Sequence, residues 1–228
     1  MRSTVKSKEK VWQLRVPIDS GYAELLVLHD RPKSGEILCA ACGNRFDVDP
    51  LRVEWDEGSE KIADFVSARA HVVVREAVLD EIATVCRGWR KGAVEMPDHP
   101  NLRRPLAPGR GAKRRVWLPY EGPQLVELVP TLDVEILPQS TVVIDWSCQT
   151  CGRIVYKAFN GIERRDSRTF TPRVAGQGLF FENRLLTGAV IFRPKYSGLL
   201  LCSDGAREFI QSRGYSNIEF LEVGELVG

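Results

Sequence analysis

Cys39-Ala40-Ala41-Cys42-Gly43 and Cys148-Gln149-Thr150-Cys151-Gly152 are two copies of one pattern, C-x-x-C followed at once by glycine. Together they use four of the chain's six cysteines. Two thiolates on so short a stretch converge only if the backbone between them turns tightly. The residue after the second cysteine then often sits where only glycine avoids a Cβ clash. Four thiolates about 2.3 Å from one ion, arranged tetrahedrally, make a closed structural zinc site. The spacing between the pairs is unusual. A compact ribbon has roughly 15–20 residues there, whereas here most of the protein intervenes. Whether the pairs meet therefore decides how the chain is folded.

The 228 residues are 43% hydrophobic and 27% charged, enough apolar material for a substantial core. Lys and Arg number 32 against 30 Asp and Glu, a net charge of +2. This balance argues against a surface coated in positive charge for nucleic acid. No apolar run approaches the length of a membrane span, so no membrane partner is expected. Residues 1–10 carry Arg2, Lys6, Lys8 and Lys10 without the apolar core of a secretory signal. They read as a flexible basic tail ahead of one α+β domain, residues 11–228. The expected compartment is the cytoplasm, where paired cysteines hold metal or do redox work more often than they form disulfides.

Around the knuckles the chain reads as short strands. Val11 to Val16 and Tyr22 to Leu28 are strands with a turn between them, and Glu36 to Leu38 leads into the first knuckle. Phe46 to Trp55 holds a further strand. His71 to Val74 is a buried-type strand followed by a helix over 75–87, with Val78, Leu79, Ile82, Val85 and Cys86 at helical spacing. Arg87-Gly88 ends that helix, and Ala93 to Met96 returns as a strand. Leu199 to Cys202 opens the same arrangement near the C-terminus, with Ser203 or Asp204 as N-cap. Ala206, Phe209 and Ile210 form the stripe, Arg213-Gly214 the stop, and Asn217 to Val223 the returning strand. Leu125 to Val129 is a strand, and Leu132, Val134 and Ile136 alternate with Asp133 and Glu135 as a half-buried strand does. Thr141 to Trp146 and Arg153 to Phe159 flank the second knuckle as a hairpin. The expected architecture is thus mixed sheets with few short helices, in two pseudo-repeated halves. Residues 11–115 and 116–228 each run knuckle then β-α-β, and the halves share one zinc-ribbon-like site of four cysteines.

The expected metal ligands are Cys39, Cys42, Cys148 and Cys151, and the expected cofactor is structural zinc. A redox dithiol is the sharper rival, but such a motif sits at a helix N-terminus and neither pair precedes a convincing helix; reduced structural thiols with no metal are the remaining reading. Cys86 and Cys202 read as core residues. Arg103, Arg104, Arg110, Lys113, Arg114 and Arg115 form a basic loop that offers the best case for a nucleic-acid role, against the plainer reading of a solvated loop. Catalytic patterns are thin: His29, His71 and His99 have no metal-ligand spacing, and no nucleophile elbow or phosphate loop appears. Asp47-Val48-Asp49 starts like a calcium loop but runs into Pro50. His71 leads an apolar strand and reads as a satisfied core residue. No catalytic or cofactor-binding residues are assigned, and no enzyme is expected.

The two CxxCG motifs occur with Gly176-Gln177-Gly178-Leu179-Phe180-Phe181, then Ala189-Val190-Ile191-Phe192, then a strand-helix-strand ending in Phe220-Leu221-Glu222-Val223. In this order the chain resembles the double-CXXCG-motif paralogous family of bacteria, which includes Sit-type immunity proteins. Ala40 departs from the proline that many knuckles carry after the first cysteine. The resemblance implies a protein that binds and blocks one cognate toxin without turnover. It carries over only Cys39, Cys42, Cys148 and Cys151, as metal ligands. The alternative is a zinc-ribbon nucleic-acid-binding or regulatory module acting through residues 103–115.

Overall fold

The computed structural model describes residues 9–18, 21–28, 37–42, 45–46, 50–55, 61–68, 71–97, 120–159 and 173–228. The tail before Glu9, the basic stretch at 103–115, His29, His99 and the 47–49 acids lie outside them.

The fold is α+β: mostly sheet, with two short α-helices among the described residues. In chain order the first half gives β1 (Lys10–Arg15), β2 (Leu25–Val27), β3 (Ile37–Leu38), β4 (Arg45–Phe46), β5 (Leu51–Trp55), β6 (Phe65–Ala68), β7 (His71–Arg75), α1 (Glu76–Ala83) and β8 (Trp89–Glu95). There follow β9 (Leu125–Pro130), β10 (Asp133–Val134), β11 (Val142–Ser147), β12 (Ile154–Phe159), β13 (Leu179–Glu182), β14 (Ile191–Pro194), β15 (Leu201–Ser203), α2 (Asp204–Ser212) and β16 (Glu219–Val227). One sheet runs β10-β14-β15-β1-β16-β13 and the other β2-β5-β8-β9-β7-β6, with β3-β4 and β11-β12 as separate two-stranded ribbons.

Both β-α-β units are present, but their strands are not neighbours. β1 lies antiparallel between β15 and β16, and β9 lies antiparallel between β7 and β8. From β14 to β13 and from β6 to β5 the strand senses agree: three antiparallel pairings, then one parallel pairing. The centre of each sheet therefore comes from the opposite half of the chain. The register matches as well: Cys202, Leu201 and Ser203 face Trp12, Gln13 and Val11, as Val74, Val73 and Arg75 face Val126, Glu127 and Leu125. The stretch after β10 returns to β13 through Leu137 N to Phe180 O, and Ala23 ahead of β2 donates to Lys61 O ahead of β6. Each sheet thus curls towards a barrel.

Strand alternation sorts the apolar side chains into three cores. Val73 and Leu125 point inward with Leu25, Leu51, Val53 and Val66, filling the second sheet. Val11 and Leu201 join Leu179, Phe181, Phe192 and Val223 inside the first. Their alternate neighbours Val74, Val126 and Cys202 face a middle layer with Val78, Leu79 and Ile82 of α1, Ala206 and Ile210 of α2, and Phe65 and Ile191. Cys86 and Cys202 are buried in that layer, as their apolar settings imply. The turn after each helix docks on the other sheet: Ile191 N donates to Arg87 O, and Phe65 N donates to Ser216 O.

Several boundaries differ from the sequence reading. α1 stops at Ala83, so Val85 leaves the apolar stripe and is exposed. β8 starts at Trp89, straight after Gly88 turns the chain at φ +89°. Ser203 does not cap α2 with its side chain; its Oγ donates to Gly188 O and accepts from Val190 N. Asp204 instead accepts from Trp12 Nε1 and Lys10 N, fastening β1 to the helix start. The alternation at 132–136 yields only the two-residue β10, because Leu137 turns to β13.

Candidate metal centre

The knuckles are presented by the two ribbons that stand apart from the sheets. β11 and β12 pair over six residues each, with bulges at Val143/Ile144 and Ile144/Trp146, and Ser147 opposite Ile154 closes the hairpin onto the second knuckle. Cys148 N donates to Arg153 O and Gly152 N to Cys148 O, both at 2.8 Å, which sets the turn. Gly152 lies at φ +75°, and a Cβ there would stand 3.2 Å from the Tyr196 ring. The glycine thus serves both the left-handed turn and the packing of Tyr196, whose carbonyl accepts from Ile154 N. The first knuckle sits on β3 and β4, two residues each, with Cys42 N donating to Cys39 O at 3.3 Å. Gly43 is outside the described residues.

The knuckles meet. The Sγ atoms of Cys39, Cys42, Cys148 and Cys151 lie within 4.8 Å of one another. Cys39 stands 3.6 Å from Cys148, and Cys42 stands 3.7 Å from Cys151. Four sulfurs placed tetrahedrally about 2.3 Å from one ion would be about 3.8 Å apart, so the donor set fits a thiolate-binding metal. Cys39 and Cys148 are buried, while Cys42 and Cys151 are half-buried.

The turn also biases the protons. The Cys151 backbone N–H, against the effect of burial and with help from the Thr150 N–H and the thiols of Cys151 and Cys39, brings the Cys148 thiol down to about 6. At Cys151 the Arg153 N–H favours the thiolate, but burial and the neighbouring Cys148 outweigh it and the pKa rises. Cys86, by contrast, is pushed up to about 11 by burial alone, which keeps it a protonated core thiol.

All four sequence-assigned ligands thus come together, across the two halves of the chain. His71 is elsewhere: its Nδ1 lies 2.6 Å from Oε1 of Glu127, a buried carboxylate on β9. Gly92, paired with Glu127, leaves room for that carboxylate, since a Cβ there would be 3.1 Å from Oε2. Sequence reading missed this partner because Glu127 looks like the polar position of an alternating strand. It also missed Tyr196, which sits at φ +63° and carries no motif.

No protein-family model matches the sequence, and no curated protein matches it. Among the described residues no helix is long and apolar enough to cross a membrane.

Proposed function

We propose that the chain is a cytoplasmic immunity protein that neutralises one cognate bacterial toxin by stoichiometric binding, and that zinc at the four-cysteine centre holds its scaffold together. The observation that carries this reading is the convergence of both CxxCG motifs on one centre; those motifs, with the order of the units after them, are also what the resemblance to the double-CXXCG immunity family rests on. We also read the chain as two related halves, each contributing one knuckle and the central strand of the other's sheet. The zinc-ribbon character of the hairpins belongs to the same proposal.

Zinc suits the donors. Four thiolates favour a soft or borderline ion, and a tetrahedral set of four sulfurs is diagnostic of zinc or iron. When bound, the ion supplies cross-linking and no open position for water or substrate. The residues do the rest: Cys148 and Cys151 are held by their hairpin, and Cys39 and Cys42 are brought to them. We therefore propose a protein without catalytic turnover. The partner is a toxin protein, not nucleic acid or membrane.

Co-expression with the toxin encoded by the neighbouring reading frame tests the reading. Cells are expected to survive, and the two proteins to co-purify at one to one. Failure to rescue would sink the immunity assignment. Zinc is tested separately: elemental analysis of protein never exposed to chelator should find about one zinc per chain.

A further inference from the structure

The four sulfurs form an inner and an outer pair, and each pair spans the two knuckles. Cys39 and Cys148, 3.6 Å apart, are buried. Cys42 and Cys151, 3.7 Å apart, are open in part to solvent. An oxidant arriving from water therefore meets one sulfur from each knuckle, side by side. Linking cysteines within one knuckle would instead enlist a buried sulfur each time.

We infer that Cys42 and Cys151 form an oxidation site for peroxide, which joins the two halves of the chain through a Cys42–Cys151 disulfide. In the first step one thiolate attacks the peroxide O–O bond. A sulfur–oxygen bond forms, the O–O bond breaks, and the departing oxygen leaves as water after protonation, giving a sulfenic acid. In the second step the other thiolate attacks that sulfur. The S–S bond forms, the S–O bond breaks, and hydroxide leaves and is protonated to a second water. Two thiols lose two electrons and one hydrogen peroxide becomes two waters. The sulfurs need only close from 3.7 Å to about 2.05 Å, a movement the two turns can share.

The consequence distinguishes this site from a simple metal clamp. Oxidation of the outer pair removes two of the four ligands and releases the ion, yet a covalent link takes over the tether. The halves stay joined at the moment the metal leaves. The disulfide follows from the sulfur geometry alone; only the metal release rests on the zinc reading above.

The test treats the purified reduced chain, as isolated, with one equivalent of hydrogen peroxide. Thiols are then alkylated and the peptides mapped by mass spectrometry without reduction, while a chromophoric chelator reads released zinc. The expected result is one disulfide per chain, Cys42 to Cys151, with Cys86 and Cys202 alkylated and zinc released in step. A first disulfide within a knuckle, Cys39 to Cys42 or Cys148 to Cys151, would overturn the proposal. So would sulfinic acid without a disulfide, or no oxidation under excess peroxide. Protein that carries no zinc at the outset but forms the Cys42–Cys151 link would overturn the zinc reading and support this one.

Discussion

The second knuckle stands on a hairpin of six residues per strand, whereas the first stands on a ribbon of two. A two-stranded ribbon is marginal in water even at useful length, so among the described residues the first knuckle has the shorter ribbon to support it. The cysteines at 148 and 151 are positioned by their own hairpin, and on the zinc reading proposed above those at 39 and 42 would lean more on the ion. The halves also differ in their polar interiors. The second sheet holds the His71–Glu127 pair, while the first holds Arg173 between Glu222 and Glu225, at 2.7 Å from each. Similar pairing schemes have thus been loaded with different chemistry, and the contrast can be tested position by position.

The largest effect is expected at the shared centre. Cys148→Ser should abolish zinc binding and cost on the order of 5 kcal/mol or more, read by urea denaturation with metal analysis. Stripping zinc from the wild type should raise amide exchange at Ile37 to Cys42 far more than at Val142 to Ser147. Equal loss in both ribbons would erase the distinction between them.

Arg173→Gln comes next. The Arg173 side chain is 3% exposed, and removing its charge takes a buried cation from both Glu222 and Glu225, while Glu222 keeps Lys10. A loss of about 3 kcal/mol at neutral pH is expected. The same variant sharpens the acid response. Glu222 is raised by burial but held below the ordinary 4.5 by hydrogen bonds and charges of Lys10 and Arg173. Its contribution is therefore present above that value and lost as pH falls through the lower folded value. Glu9, raised by burial and by Asp204, works in the opposite sense. Comparing wild type with Arg173→Gln cancels Glu9, and the variant's stability should fall less steeply below about pH 4.5. Parallel curves would show that Arg173 does not act through Glu222.

The two glycines that follow the helices separate more finely. A Cβ on Gly88, at φ +89°, would lie 2.3 Å from Ile191 O, whereas one on Gly214, at φ +66°, meets nothing within 4 Å. Gly88→Ala should cost about 2–4 kcal/mol, and Gly214→Ala only the left-handed strain of about 1. Thermal melts of the two variants decide it. Smallest of all is Trp146→Ala on the long hairpin: the residue is 43% exposed, and stability should fall by no more than about 1 kcal/mol.

The four cysteines that cluster were legible in the sequence because C-x-x-C-G is a local pattern, and local patterns survive without coordinates. The two helices were legible for the same reason, through the spacing of Val78, Leu79 and Ile82 and of Ala206 and Ile210. What was hidden is non-local. Nothing in Val11-Trp12-Gln13 announces that it will lie against Leu201-Cys202-Ser203, nor that Leu125-Val126-Glu127 fills the same place between β7 and β8. Phe65-Val66-Ser67-Ala68 escaped notice because all four residues are buried and the polar-apolar alternation that marks a strand is missing. Gly88 was read as a helix stop, but it is the close approach of Ile191 that requires it.

The placement of β1 has a consequence for how the protein is made. Its partners, β15 and β16, are translated some 200 residues later, since Gln13 pairs with Leu201 and Leu221. At about 5–20 residues per second that strand waits roughly 10–40 s beyond the ribosome before its neighbours exist. β9, by contrast, emerges after β7 and β8 and can slot between them at once. The second sheet can therefore close during synthesis while the first cannot. Vectorial translation thus assigns an order to two otherwise similar sheets, and it leaves the apolar side of β1, Val11 and Leu14, in need of shelter until the last strand arrives.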